Sequence, residues 1–536
     1  MRIPIEQIDS RIKDLVERLK RNKWSIILSI IHIILSFYWE NTIFTNTGFI
    51  VEAKFPCDEK DSELFVKTAH MVACFIILFG WLSIKRIWSN KKNKRMCRLF
   101  ISLSFLFICF AFLTYPKMYG WEVDDLAIYE LVTHKQVLFW HSYLTNLIYL
   151  ASYFIFPHPI SLPIIQVICW CGVCSYIILN IFILTENKWL RTLGWSFVVL
   201  YETYSIALMP YRNCMYTILS LFFIAYLALN YMKNEKFSYK NIIILSIFGG
   251  ILAFWRSEGC LYLLFTFFIL VIGYGKKYIK QSIICTILMM ISFFIVSFPQ
   301  KIANEKYYRK DYMIINMVSA LSPILNNQNC NIDYYGAIED LENINNVIDI
   351  TYIKQFGSMG YQYYNASQGR NLTQTNTSDV IQTRFIKSSI RLIGHNIGIF
   401  IRDRIRNFFS AIGVVWPDYV SIYQITGNEH NVTGTLDSYF TMVYRAGEHI
   451  ESTVLLKNST LFKNIQTIFE KIVQYYTSIM TPVSIAMRII LLCGMFYLVF
   501  YSLFKKEFFF FTCFLSNLGM LAGIVIFAPE ARTYYY

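Results

Sequence analysis

Three carboxylates fall within four positions in the run Met118-Tyr119-Gly120-Trp121-Glu122-Val123-Asp124-Asp125-Leu126-Ala127-Ile128-Tyr129. Carboxylates this dense can supply a general base, because poor hydration raises a carboxyl pKa toward the working pH. They can also hold a hard divalent cation through oxygen. The plainer alternative is a solvated acidic loop. Three other places set charge or imidazole against apolar sequence. Trp140-His141 opens an apolar run, Arg256-Ser257-Glu258 interrupts one, and Pro529-Glu530-Ala531-Arg532-Thr533-Tyr534 follows the last one. A guanidinium at membrane depth needs a carboxylate or a phosphate beside it. For Arg256 the carboxylate reading is a salt bridge to Glu258 or Glu202, and the phosphate reading is a lipid phosphate. His141 by itself signifies no more than an interfacial polar residue.

The elements that must position these groups follow from composition. Of 536 residues, 55% are hydrophobic and 16% charged, with a mean hydropathy of +0.42; soluble domains carry about 25% charge. Apolar runs recur along most of the chain, which excludes an ordinary soluble enzyme and predicts an all-α polytopic membrane protein of about 11–13 transmembrane helices. The net charge of +14 comes largely from short Lys and Arg runs beside those stretches. Such runs are topology signals rather than a nucleic-acid surface. Most of the 13 cysteines lie in apolar runs as small packing residues. Cys171-Gly-Val-Cys174 has metal spacing but no second ligand pair.

Residues 1–23 read as a cytoplasmic amphipathic segment, followed by two added spans within 24–98 (24–43 and 70–84) separated by an acidic loop around Cys57–Glu63. The basic run Lys85–Arg98 faces the cytoplasm, so a span over 99–113 delivers the acidic segment, within an outer loop of 115–140, to the outer face. Further spans are expected at 141–156, 159–184, 193–209, 214–232, 242–273, 282–298, 481–504 and 508–527. Charge bookkeeping requires one segment between 141 and 184 to be short, re-entrant or broken. The run 242–273 has a break at Trp255-Arg-Ser-Glu-Gly and Lys-rich flanks on both sides, which two half-helices with an outer tip would satisfy. Residues 299–480 contain no confident span and read as an outer-face domain, with loop and short helices over 326–346. Within it, Ile390–Trp416, carrying Arg391, Arg402, Arg404 and Arg406, suits an interfacial helix. Sequons at Asn365, Asn371, Asn376, Asn431 and Asn458 matter only if that face is an ER lumen.

Over about residues 99–536 the chain resembles the GT-C class of integral-membrane glycosyltransferases, which includes protein O-mannosyltransferases and the lipid A aminoarabinose transferase. The resemblance rests on Asp124-Asp125 with Tyr129 in the first outer loop, the His141 start, the Arg256-Ser-Glu258-Gly break and the terminal Pro529-Glu-Ala-Arg532-Thr-Tyr534, in that order. The family often has Asp-Glu where this chain has Asp-Asp, and His-Pro-Pro where it has His141-Ser142. The resemblance implies a module at 99–298, the outer-face domain at 299–480, C-terminal spans at 481–536 and a further span beyond Tyr536. It implies Asp124 as base on the acceptor, Asp125 as its neighbour, and Arg256 and Arg532 on the donor phosphate, with Glu122, His141 and Glu258 as further substrate-binding candidates. The donor would be a polyprenyl-phosphate sugar, transferred with inversion to an unknown envelope lipid, polymer or protein.

The chemistry is self-consistent: a lipid-phosphate sugar has a good leaving group, so one base, one or two Arg and exclusion of water suffice. No Gly-x-Gly-x-x-Gly or Walker sequence provides for a nucleotide donor. The pattern demands no cofactor, and Asp124 and Asp125 are where a divalent cation would bind if one is used. Competing readings are an envelope-polysaccharide polymerase or ligase, depending on residues such as Arg402 or His430, and a secondary transporter built on Glu202, Arg256 and Glu258. A non-catalytic scaffold is a third. The expected partners are the lipid-linked donor, membrane lipids and the acceptor, with no nucleic acid. The expected location is a bacterial plasma membrane, an ER membrane being the second choice.

Overall fold

The apolar runs fold as helices. The structure, a computed structural model, describes residues 22–43, 59–89, 94–115, 123–134, 137, 142–189, 191–192, 195, 208–233, 237–308, 311–356, 378–411, 447–454 and 459–527. Among these, all regular structure is helical. In chain order the first helices are α1 (Lys23–Ile43), α2 (Glu59–Ser89), α3 (Lys94–Thr114), α4 (Val123–Thr133), α5 (Tyr143–Ile155), α6 (Ser161–Leu184), α7 (Cys214–Met232), α8 (Tyr239–Trp255) and α9 (Leu261–Tyr274). Then come α10 (Ile279–Ala303), α11 (Asp311–Leu325), α12 (Ala337–Asn345), α13 (Ile350–Phe356), α14 (Asp379–His395), α15 (Ile397–Ala411), α16 (Thr460–Phe504) and α17 (Phe508–Phe527). Among the described residues, five stretches are long and apolar enough to cross a membrane: Lys60–Ser83, Lys94–Thr114, Ser161–Leu184, Cys214–Met232 and Ile279–Lys306. The run 193–209, with Glu202, lies largely outside the described residues.

Two compact units divide the chain, one of residues 1–49, 57–222 and 443–475, the other of 50–56, 223–442 and 476–536. In the first unit α5 is the short segment required between 141 and 184. Its 13 residues reach only ~20 Å at 1.5 Å per residue. Helices α1 and α2 grip its C-terminal end through two histidines. His32 Nε2–H donates to the Ile155 carbonyl at 2.7 Å while Nδ1 accepts from Trp81 Nε1–H at 3.2 Å. Ser36 spends its hydroxyl proton on Ile33 O and so accepts from His70 Nε2, at 2.8 Å. The His70 ring stacks on Phe154, centroids 4.2 Å apart and planes 1° from parallel. Residues Glu59–Glu63, expected in a loop, instead open α2, where acidic side chains suit the positive end of the helix dipole.

The second unit contains the break expected near Trp255. Helix α8 starts at the Ser238 cap, whose hydroxyl accepts from Asn241 N–H, and ends at Arg256, which is extended (φ −133°, ψ 154°). A 3₁₀ turn over Ser257–Cys260 follows, and then α9. Gly259 makes the reversal: a Cβ there would lie 2.2 Å from the Leu252 carbonyl oxygen. Helix α9 returns alongside α8, since the Tyr274 ring at its end meets Phe237, just ahead of α8, at 5.0 Å. The two are therefore a hairpin with Arg256 at its tip. Gly275, left-handed at φ +69°, ends α9.

Small residues let the remaining helices close on this hairpin. Ser246 Oγ donates to Cys285 O at 3.0 Å, Gly249 lies against Met289 and Gly250 against Ser292, so α8 and α10 run parallel. Gly273 meets Phe509, Gly519 meets Phe265 and Gly523 meets Leu261, so α9 and α17 run antiparallel. The starts of α8, α10 and α17 and the ends of α7 and α9 thus gather at one end. Tyr231 there stacks on Phe509 at 3.6 Å. Lys233, Lys240, Lys276, Lys277, Lys280, Lys505 and Lys506 flank this end in the sequence. The Arg256 tip is at the other end.

Helix α10 carries the chain away from the lysine end into a helical subdomain, α11–α15, around Ile314, Leu321, Ile344, Phe385 and Leu392, each fully buried. Asp340, also fully buried, is paired with Arg391 at 2.7 Å and accepts from Tyr334 O–H at 3.0 Å. Asn396 separates α14 from α15 by exchanging two hydrogen bonds with the Asn331 backbone. The single interfacial helix expected over 390–416 is therefore two helices as far as residue 411, with 412–416 outside the described residues. Arg391 is held by a carboxylate, and Arg404 is 3% exposed with its guanidinium 5.0 Å from the Phe400 ring. Residues 443–475 group with the first unit rather than with 299–442. Helix α16 begins at Thr460, well before the expected 481, because Leu461, Ile465, Ile468 and Ile472 keep a helical spacing through the polar stretch.

Replacing Gly519 by Leu should separate α9 from α17 at a cost of about 1–3 kcal/mol, as for other overpacked contacts. The purified protein should then lose Tm, while Gly494→Leu, with nothing within 4 Å of its Cβ, should leave it unchanged. Equal Tm values for the two variants would refute the close α9–α17 seam.

Candidate functional site

Helix α4 carries the acidic pair. Asp125 is 7% exposed, and its Oδ1 accepts from the Arg212 backbone N–H at 2.8 Å. The Tyr149 hydroxyl, on α5, lies between Asp125 Oδ1 at 3.3 Å and the Pro210 carbonyl, to which it donates. The carboxylate therefore ties three segments together: the start of α4, the middle of α5 and the turn before α7. Four residues on, Tyr129 repeats the contact one turn deeper. Its ring lies 5.8 Å from Tyr153, itself four residues after Tyr149, and its hydroxyl is 2.9 Å from His449 Nδ1. The i, i+4 spacing on both helices makes Asp125–Tyr149 and Tyr129–Tyr153 successive rungs of one seam.

A group of imidazoles and phenols completes the seam. His449 belongs to a helical segment, residues 447–452. Tyr115, directly after α3, donates to Ile450 O at 3.0 Å and contacts Thr453 Oγ1. His158, between α5 and α6, accepts from Ile160 N–H at Nδ1 (3.1 Å) and so donates from Nε2 to Thr453 O (3.0 Å). A second proton on His158 would face the Ile160 N–H head-on, so these bonds select the neutral ring. Burial lowers the His158 pKa from its ordinary 6.5, against the pull of the Thr453 carbonyl. Burial also lowers His449, with His134 and His158 adding to the effect. The Tyr115 phenol is pushed up to about 12 by burial, and burial raises Tyr129 as well. His134 sits at the end of α4, its Nδ1 2.8 Å from Glu130 O and 3.7 Å from Glu130 Oε1.

Of the residues expected at the site, Asp125 and Tyr129 are thus brought into one seam. Asp124 is the second residue of α4, and its side chain lies outside the description, as does that of Glu258 in the 3₁₀ turn. Glu122, His141, Glu530 and Arg532 lie outside the described residues altogether. Asp125 belongs to the first unit and half-buried Arg256 to the second. Among the described residues no group of three His, Cys, Asp or Glu side chains is placed to hold a metal ion. Tyr149, Arg212, His158 and His449 escaped the sequence reading. The Tyr149/Tyr153 spacing was a usable signal; for His449, more than 300 residues from Tyr129, there was none.

The lowered histidines give a signed pH dependence. Released from the packed state, His158 and His449 take up protons near pH 6.5; packed, they do so only at lower pH. The stability they contribute is complete above 6.5 and is lost as pH falls below it. Hydrogen exchange of the full chain in lipid nanodiscs, corrected for intrinsic rate, should accelerate at residues 449–454 between pH 7.5 and pH 5.5. A His158→Gln/His449→Gln variant should lose that pH dependence. Protection independent of pH in the unsubstituted chain would contradict the neutral assignments.

No protein-family model, no curated protein and no solved structure matches this chain.

Proposed function

We propose that the chain is an integral-membrane glycosyltransferase that takes a polyprenyl-phosphate-linked sugar and transfers it to an envelope acceptor on the outer face. The observation that supports the reading is the fixed carboxylate at the start of α4. Asp125 is held by the Arg212 N–H, with the Tyr149 hydroxyl 3.3 Å from the same oxygen, which anchors the first turn of the helix where Asp124 is its neighbour. In this mechanism Asp124 takes the proton of the acceptor hydroxyl as that oxygen attacks the anomeric carbon. The bond from that carbon to the phosphate oxygen breaks, and the lipid phosphate leaves with the electron pair. Asp125 keeps Asp124 in place, and Arg256 and Arg532 are the cations for the departing phosphate. Nothing in this sequence of events requires a metal ion, and the acidic pair is where a divalent cation would sit if one takes part. The cell envelope of a bacterium is the location that fits such a donor.

One feature favours a second reading, a secondary transporter. The α8–α9 hairpin is a pair of helices of 17 and 14 residues with a charged tip, and broken helices build substrate sites in transporters.

The deciding experiment supplies purified protein with a panel of labelled polyprenyl-phosphate hexoses and pentoses. One donor should be transferred or slowly hydrolysed. Asp124→Asn should cut turnover by roughly 10²–10⁴-fold, the usual value of a general base, while still binding donor. Arg256→Ala should weaken donor binding. If no donor binds or turns over, the glycosyltransferase reading fails and solute flux into proteoliposomes tests the transporter.

A further inference from the structure

Helix α15 carries more apolar surface than the protein covers. Phe408 and Arg404 are buried, at 9% and 3% exposure, on the side that packs against α11 and α17. The apolar stripe does not end there. Ile401, Ile405 and Phe409, one helical turn apart, continue it at 47%, 46% and 37% exposure. Arg402 and Arg406, both exposed, border the uncovered strip along its far edge. An aliphatic strip edged by guanidinium groups matches the boundary between acyl chains and lipid phosphates.

The fold places this strip at that boundary. Helix α17 has 20 residues, mostly apolar, and starts at the lysine end of the bundle. Helix α10 crosses from the same end and delivers the chain to the opposite one, where α11–α15 follow. Helix α15 packs on α17, and its place in the chain after α10 puts it on the side of the bundle away from the lysines. By contrast, α14 spends its Arg391 on the buried Asp340, so the lipid-facing character expected over 390–416 is confined to its second half.

We infer that α15 lies along the membrane surface on the side away from the lysine-rich end, with Ile401, Ile405 and Phe409 among the acyl chains and Arg402 and Arg406 on the phosphates of anionic lipids. The inference holds whether or not the chain transfers sugars. It makes α15 a float that fixes the height of the α11–α15 subdomain above the bilayer.

The test places the photo-crosslinker p-benzoylphenylalanine singly at 401, 405 and 407 of the full chain, reconstituted in phosphatidylglycerol or phosphatidylcholine vesicles. Lipid adducts should form at 401 and 405 and be scarce at 407, on the opposite flank of the helix. Adduct yield at 407 equal to that at 401 would overturn the placement, as would adducts at 401 and 405 made only with a second copy of the protein. Hydrogen exchange of the unlabelled chain in nanodiscs provides an independent reading. Amides of α15 should be better protected in phosphatidylglycerol than in phosphatidylcholine, and Arg402→Glu/Arg406→Glu should abolish the difference. Equal protection in the two lipids would overturn the anionic-lipid assignment.

Discussion

A peptide N–H or C=O without a partner costs several kcal/mol where water is absent, so a chain in a membrane leaves the helix only where something else takes up the freed bonds. In the first unit the polar side chains do that work. Tyr149 donates to the carbonyl of Pro210, a residue that has no N–H of its own, and Asp125 accepts from Arg212 two positions later. His32 serves Ile155 O at the end of α5, His158 serves both Ile160 N–H and Thr453 O, and Tyr115 serves Ile450 O. Gln466 Nε2–H donates to the Tyr115 carbonyl at 2.7 Å, just past the end of α3. Of the residues that look most chemical in the sequence, Asp125 is one that allows the chain to turn.

This constraint sorts the acidic pair. Of the two carboxylates, Asp125 is the one whose partners are described. Asp125 is committed to the backbone of the turn before α7, with the Tyr149 hydroxyl beside it. Exchanging it for Asn would keep the shape but turn a charged acceptor into a weaker one, and charged hydrogen bonds are worth about 1.5–3 kcal/mol against about 1 for neutral ones. A loss of activity from such a change would therefore report the position of α4 as much as any proton transfer. The resemblance, not the geometry, is what puts the proposed base at Asp124.

Much of the helical plan was legible because its causes are local. Long apolar runs bounded by Lys and Arg specify α3, α6, α7 and α10 almost to their ends, and the charged break at Trp255-Arg-Ser-Glu-Gly marks the α8–α9 turn. Local signals misled where a helix needs little hydrophobicity to persist. Glu59–Glu63 reads as a loop by charge yet opens α2, and 460–480 reads as polar yet extends α16. Contacts between distant segments were not legible at all. Nothing near His449 announces Tyr129, and the arginines of 390–406 look equivalent until Asp340 claims Arg391 and the subdomain core takes Arg404. Helical period fixes which face a residue occupies but not what meets that face.

The hairpin shows what such a placement is worth. Helix α8 has 17 residues and spans ~25 Å, short of the ~30 Å hydrocarbon core. In a bilayer that had the lysine-flanked base at one surface, the tip would stop a few ångströms inside the other. An arginine side chain can reach across that distance to the headgroup layer, so Arg256 need not be neutralised within the hydrocarbon. A full-length helix would have carried the same residue out into water, where a phosphate binds weakly against solvent. A shorter one would have left it too deep to stay charged without a carboxylate. The hairpin, a little shorter than the hydrocarbon core, puts Arg256 at the end of the bundle away from the lysines, and the parallel packing of α8 on α10 through Ser246, Gly249 and Gly250 is what holds the hairpin there.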